Sequence, residues 1–129
     1  MRTENPPYFS PKEEEFANLL ILSGIRRNVA RVLVYLTYAP EASSREIERA
    51  TDLRQPEVSM AMAWMTSQGW VVSRETKAEN KGRPVKIYQL AMPIGKIMDL
   101  IEQAKRNEAN QQLKLVQKLK DYLPASSGH

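Results

Sequence analysis

The residues from which most catalytic centres are built are nearly missing from this chain. It contains no cysteine, which removes disulfides, thiolate metal sites, iron–sulfur clusters and cysteine nucleophiles. Its single histidine, His129, is the last residue, where chains are usually mobile, so no histidine-based catalytic or metal site is expected within one chain. Glu13, Glu14 and Glu15 are the densest run of carboxylates, and their place in the first turn of a helix suits the helix dipole better than catalysis. With no glycine-rich phosphate loop and no metal-ligand cluster either, the expectation is a protein that is not an enzyme and binds no cofactor and no metal.

The charges that do occur are unevenly placed. The 129 residues hold 19 Lys and Arg against 15 Asp and Glu, a formal net charge of +4. Residues 1–24 carry 2 basic and 4 acidic groups, residues 25–92 carry 11 and 7, and residues 93–129 carry 6 and 4. The positive excess therefore lies mostly in the middle segment. At 42% hydrophobic and 26% charged, the composition fits one globular domain with an appendage. The apolar runs LLIL (19–22) and VLVYL (32–36) fall far short of the roughly 20 residues of a membrane helix. The opening MRTENPPYF lacks a signal-peptide core, so a cytoplasmic location with no membrane partner is expected.

The elements that must hold these charges announce their boundaries. Residues 1–9, with Pro6 and Pro7, read as an extended arm. Ser10, Pro11 and Glu13 supply an N-cap, a first-turn proline and a capping box, predicting a helix over 11–23 that ends at Gly24. Val29, Val32, Leu33 and Leu36 form one apolar stripe of a second helix over 27–38, stopped by Pro40. Ser43 and Glu46 form another capping box and open a short helix through Ala50, anchored by Ile47 and Ala50. After the turn Thr51–Leu53, a further helix runs from near Pro56 to Gln68 and stops at Gly69. Its core stripe is Val58, Ala61, Met62 and Met65, which leaves Gln55, Pro56, Ser59, Met60 and Ala63 off the core.

Beyond Gly69 the composition turns β-rich. Segments 70–76 and 85–90 predict a hairpin whose connection, KAENKGRP (77–84), is polar and basic. Apolar residues occur on both faces of each strand, so alternation alone does not say which face is inward. From Pro93 to about Leu123 the pattern is helical. Ile94, Ile97, Met98 and Ile101 form one apolar stripe and Leu115, Val116, Leu119 and Leu123 another, separated by the polar KRNEANQQ (105–112). Either a partner chain covers two separated patches, or the helix breaks near 107–110 and folds back. The interrupted heptad argues against one regular coiled coil. The tail 124–129 is expected to be disordered.

Helix, turn, helix, then a hairpin with a basic tip is the element order of a winged helix-turn-helix. The segment SSREIERATDLRQPEVSMAMAWMTSQGWVVSRE, followed by KGRPVKIYQL, resembles winged-helix transcription regulators of the ArsR, MarR and TrmB type, especially small archaeal ones. The resemblance covers about residues 25–90. It implies a mainly α fold with a small β-hairpin: an N-terminal arm and helix (1–24), a DNA-binding winged helix (25–92) and a long C-terminal dimerisation helix (93–123). It further implies a homodimeric, sequence-specific regulator of double-stranded DNA, nucleoid-associated within the cytoplasm. Two recognition helices would then meet half-sites about one turn apart.

The same resemblance assigns roles to residues. A major groove about 12 Å wide admits one helix, whose N-terminal side chains reach base edges. Arg54, Gln55, Glu57, Ser59, Met60 and Ala63 are the base-contact candidates: Gln55 for adenine, Arg54 for guanine or a phosphate, Glu57 for cytosine N4, Met60 for a thymine methyl. Glu57 serves equally as a first-turn acid and Gln55 as a helix cap. Ser43, Ser44, Arg45 and Arg49 are phosphate candidates. In the wing, Lys77, Lys81 and Arg83 surround Gly82, with arginine suited to a narrow minor groove. Leu19, Leu20, Ile94, Ile97, Met98, Ile101, Leu115 and Leu119 are the expected dimer interface.

Three positions depart from the family pattern. Asp52 stands where glycine is common in the turn, Glu48 where a small alanine is usual, and Trp64 where the helix is usually polar, either packing on helix one or a partner or binding a ligand. A protein-interaction winged helix in a transcription or chromatin assembly is the other reading. Without thiols or histidines an ArsR-type metal sensor is disfavoured, and nothing in the residues identifies an effector.

Overall fold

The structure, a computed structural model, describes residues 9–77 and 84–125. Five helices and three strands follow in the order α1 (Pro11–Leu22), α2 (Arg27–Tyr38), β1 (Ala42–Ser43), α3 (Ser44–Thr51), α4 (Gln55–Ser67), β2 (Val71–Lys77), β3 (Pro84–Leu90) and α5 (Ile94–Lys120). The chain divides into two compact units, residues 1–92 and 93–129, and α1 belongs to the first.

Local chemistry sets the helix starts. Ser10 Oγ accepts from the Glu13 N–H (3.2 Å) while the Ser10 N–H donates to Glu13 Oε1 (2.9 Å), and Ser43 and Glu46 repeat the arrangement at 3.2 and 2.8 Å. Each such box satisfies two backbone donors that a helix end would otherwise leave open. Gly24, at φ 106°, takes the left-handed conformation that lets the chain leave α1.

In the first unit, α2 is the central element. Val29, Val32, Leu33 and Leu36 are buried as its periodicity requires, and Ala30 and Val34 join them. α3 and α4, which bring Ile47 and Val58, Met62 and Met65, pack against α2, and β2, which brings Val71, packs against α4; these five side chains are essentially without exposed surface. Leu20 is also buried within the single chain, whereas its neighbours Leu19 and Leu22 are exposed.

The hairpin is part of a three-stranded antiparallel sheet in the order β1-β3-β2. Ala42 pairs with Tyr88 and Ser43 with Ile87, while β2 and β3 run in register from Val71 opposite Leu90 to Lys77 opposite Pro84. The third strand, β1, is absent from the sequence expectation because two residues carry no alternation to read. It ties the hairpin to the start of α3, since Ser43 is both its last residue and the α3 N-cap.

The second unit is one helix. α5 runs unbroken through 27 residues, about 40 Å at about 1.5 Å per residue, so the expected alternative of a break near 107–110 is not realised. Its middle holds itself helical with i,i+3 and i,i+4 contacts, Lys105 to Glu108 and Arg106 to Glu102. Ile97 is buried, Ile94, Met98 and Ile101 are half-buried, and Leu113, Leu115, Val116, Leu119, Tyr122 and Leu123 are exposed.

Candidate nucleic-acid interface

The turn between α3 and α4 begins inside α3. Thr51 is buried, and its hydroxyl donates to the Ile47 carbonyl (2.6 Å), satisfying a group that would otherwise be costly there. Asp52 follows at φ 59°, ψ 34°, the left-handed conformation that a glycine would adopt more cheaply. The N–H groups of Asp52 and Leu53 both donate to the Glu48 carbonyl, closing α3 before Leu53 plugs into the core. Glu48 itself is half-buried.

On α4 the four core residues named from spacing, Val58, Ala61, Met62 and Met65, are all buried. Arg54, Gln55, Ser59, Met60 and Ala63 are exposed, with Met60 at 71%. A large thioether that open to water is unusual for a residue serving only stability. Glu57 is half-buried, and its Oε1 accepts from the Arg54 N–H at 2.9 Å, so its carboxylate closes the helix start. The N-cap is Arg54, so Gln55 is the first helical residue and does not cap the helix.

A groove of about 450 Å³ lies between α4 and the sheet, lined by Ser59, Met62, Ala63, Thr66, Ser67, Ser73, Lys86 and Tyr88. Ser73 and Tyr88 are cross-strand partners, so the sheet face bearing them, Lys86 and the buried Val71 is the one turned toward α4. That settles the facing which alternation left open. The groove offers hydroxyls and one ammonium group; Glu75, opposite Lys86 on the same face, lies outside its lining.

The cations fall into two groups. Arg31 and Arg74 have partners within the chain: the nearly buried Arg31 has Glu14, the Thr51 carbonyl and the Phe9 ring, and Arg74 has Glu41 at the surface. Arg45, Arg49, Arg54 and Lys86 are exposed and make no ion pair among the described residues. Ser43 and Ser44 are half-buried at the start of α3 beside Arg45. Of the wing candidates, Lys81, Gly82 and Arg83 lie outside the described residues, and of Lys77 only the backbone is described, closing β2. Trp64 stands edge-on to Trp70, ring centroids 5.0 Å apart and planes at 85°, so its ring partner is the residue that leads into β2.

Residues 23–83, from the end of α1 across both helices of the turn and into the hairpin, match the family model described as the MarR family. This segment is similar to the winged helices of the MarR family. Solved structures share the fold at low identity. A possible transcriptional regulator from Methanosarcina mazei Go1 matches with a TM-score of 0.62 and 14% identity, covering 82% of this chain and 86% of that one. TrmBL2, an archaeal chromatin protein whose structure shows a novel mode of DNA binding, matches at 0.67 and 14%, covering 84% of this chain and 39% of its own. A further transcriptional regulator matches at 0.53 and 20%, covering 91% and 82%. No curated protein sequence matches the chain. In this winged helix, α3 and α4 form the helix-turn-helix and β1, β2 and β3 the sheet of the wing. Among the described residues no helix is long and apolar enough to cross a membrane.

Proposed function

We propose that the protein is a sequence-specific, double-stranded-DNA-binding transcriptional regulator that acts as a homodimer. The observation that carries the reading is the surface made by α4 and the sheet. It presents exposed polar and thioether side chains at one helix N-terminus, unpaired cations beside them, and a groove lined by hydroxyls and the Lys86 ammonium.

DNA binding requires each of these parts. With α4 in a major groove, Arg54, Gln55, Ser59, Met60 and Ala63 face base edges, and the positive end of the helix dipole lies near phosphates. Glu57 is left to hold the helix start. With the wing in the adjacent minor groove, the strand of phosphates between the two grooves crosses the space between α4 and the sheet. Ser59, Thr66, Ser73 and Lys86 are the donors that line it. Arg45 and Arg49 extend the same contact along α3. The Lys86 ammonium and the hydroxyls around it suit an acidic strand, although Glu75 stands opposite Lys86 on the same sheet face.

Selection of bound duplexes from a random library, repeated at two salt concentrations, tests the reading. The expected outcome is a pseudo-palindromic site bound with an affinity that falls steeply with salt. Binding without sequence preference, or none, would overturn it. Stoichiometric recovery of a protein partner without salt-sensitive DNA binding would favour the interaction-module reading instead.

A further inference from the structure

The continuity of α5 changes the meaning of its two apolar patches. In an unbroken helix, residues seven apart lie within about 20° of each other around the axis. Ile94, Ile101, Glu108 and Leu115 therefore form one column, and Met98, Lys105, Gln112 and Leu119 a second, four residues on and adjacent to the first; each drifts by about 60° over its three heptads, which a left-handed supercoil takes up. Both apolar ends share one face, joined through a polar middle. In that middle Lys105 Nζ lies 3.4 Å from Glu108 Oε1, with side chains 48% and 67% exposed. Leu115 and Leu119 are 54% and 66% exposed in the single chain.

We infer that this face binds the same face of a second copy with the two helices antiparallel, the two-fold axis passing between Lys105 and Glu108. The inference rests on the homodimer reading above and adds the direction and register of pairing. A parallel in-register pair sets Lys105 against Lys105 and Glu108 against Glu108. Reversing one helix sets Lys105 of each copy against Glu108 of the other, giving two reciprocal ion pairs. The same operation lays Met98 on Leu115 and Ile94 on Leu119, because the two columns mirror each other about that axis. Ala104 and Ala109 flank the axis symmetrically and are small enough for close backbone approach. Ile101 meets Gln112, whose aliphatic stem covers it. Charged residues in a helical seam sacrifice stability and fix register, which is what this order of apolar, charged and apolar residues accomplishes when the helices oppose.

The absence of cysteine makes the test clean, since introduced thiols are the only ones. In oxidised full-length protein, Ile101→Cys with Gln112→Cys is expected to form a covalent dimer, and Gln112→Cys alone is not. In sedimentation, Lys105→Glu is expected to raise the dimer Kd about tenfold, and the swap Lys105→Glu with Glu108→Lys to restore it. A stable dimer in which Gln112→Cys alone cross-links, or in which Lys105→Glu changes nothing, overturns the antiparallel pairing and leaves the homodimer standing. A wild-type chain that sediments as a monomer at micromolar concentration overturns both.

Discussion

Arg31 Nε donates to the Thr51 carbonyl oxygen at 3.2 Å, so a residue of α2 holds the last residue of α3 where the left-handed turn begins. The same guanidinium reaches Glu14 of α1 through Nη1 at 3.1 Å and lies 4.4 Å from the centroid of the Phe9 ring. At 14% side-chain exposure it is a nearly buried cation with three partners. Arg31→Met keeps much of the stem but leaves the Thr51 carbonyl and the Glu14 carboxylate without it. A loss of about 2–3 kcal/mol is expected in urea denaturation. Protein that remains folded should select the same DNA site, because Arg31 faces the interior.

Asp52 sits at φ 59°, a conformation costing a non-glycine residue roughly 1 kcal/mol. Asp52→Gly relieves that cost and gives part of it back through a freer unfolded chain. Stabilisation of about 0.5 kcal/mol is expected, read as a higher urea midpoint at unchanged slope. A destabilised variant would show that the carboxylate has a partner beyond the turn.

Glu57 separates cap from contact. Glu57→Ala is expected to cost about 1 kcal/mol through loss of the bond from the Arg54 N–H. The selected DNA site should keep its base preferences. A changed preference at one position, with stability intact, would instead assign Glu57 to a base.

Lys86 and Gln55 are expected to fail in different ways. Lys86→Ala removes a groove cation, lowering affinity for every sequence and reducing the slope of log affinity against log salt by about 1. Gln55→Ala should leave that slope unchanged while relaxing preference at one base pair, by about 1–3 kcal/mol of discrimination. Filter binding across a salt series, with matched and mismatched duplexes, distinguishes the two.

Trp64 and Trp70 meet edge to face, an arrangement worth about 0.5–1.5 kcal/mol beyond area burial. Trp64→Phe should cost about 1 kcal/mol and Trp64→Ala about 2–3 kcal/mol. Trp70 is then the single remaining tryptophan, and its fluorescence reports unfolding directly.

The helices were legible because their signals are local. Ser10 with Glu13 and Ser43 with Glu46 mark starts within four residues, and the spacing of Val29, Val32, Leu33 and Leu36 places α2 without knowledge of what it packs on. The α4 core stripe was equally plain, which in turn identified the exposed side. β1 was not legible, because it exists only through pairing with β3. The use of Arg31 was hidden as well: counted in the basic excess of residues 25–92, it is turned inward onto Glu14 and the Thr51 carbonyl rather than offered outward.

Composition and short-range pattern were enough to exclude thiol chemistry, to place the helix starts and to order the elements as a helix-turn-helix with a wing. Each of those depends on residues within a turn or two of one another. Only the tertiary structure decided which sheet face meets α4, which cations remain unpaired, that Trp64 stands on Trp70, and that α5 continues through its polar middle. These depend on groups distant in sequence, or on the balance between a helix continuing and folding back. The spacing of charges along a chain cannot express that balance until the backbone path is known.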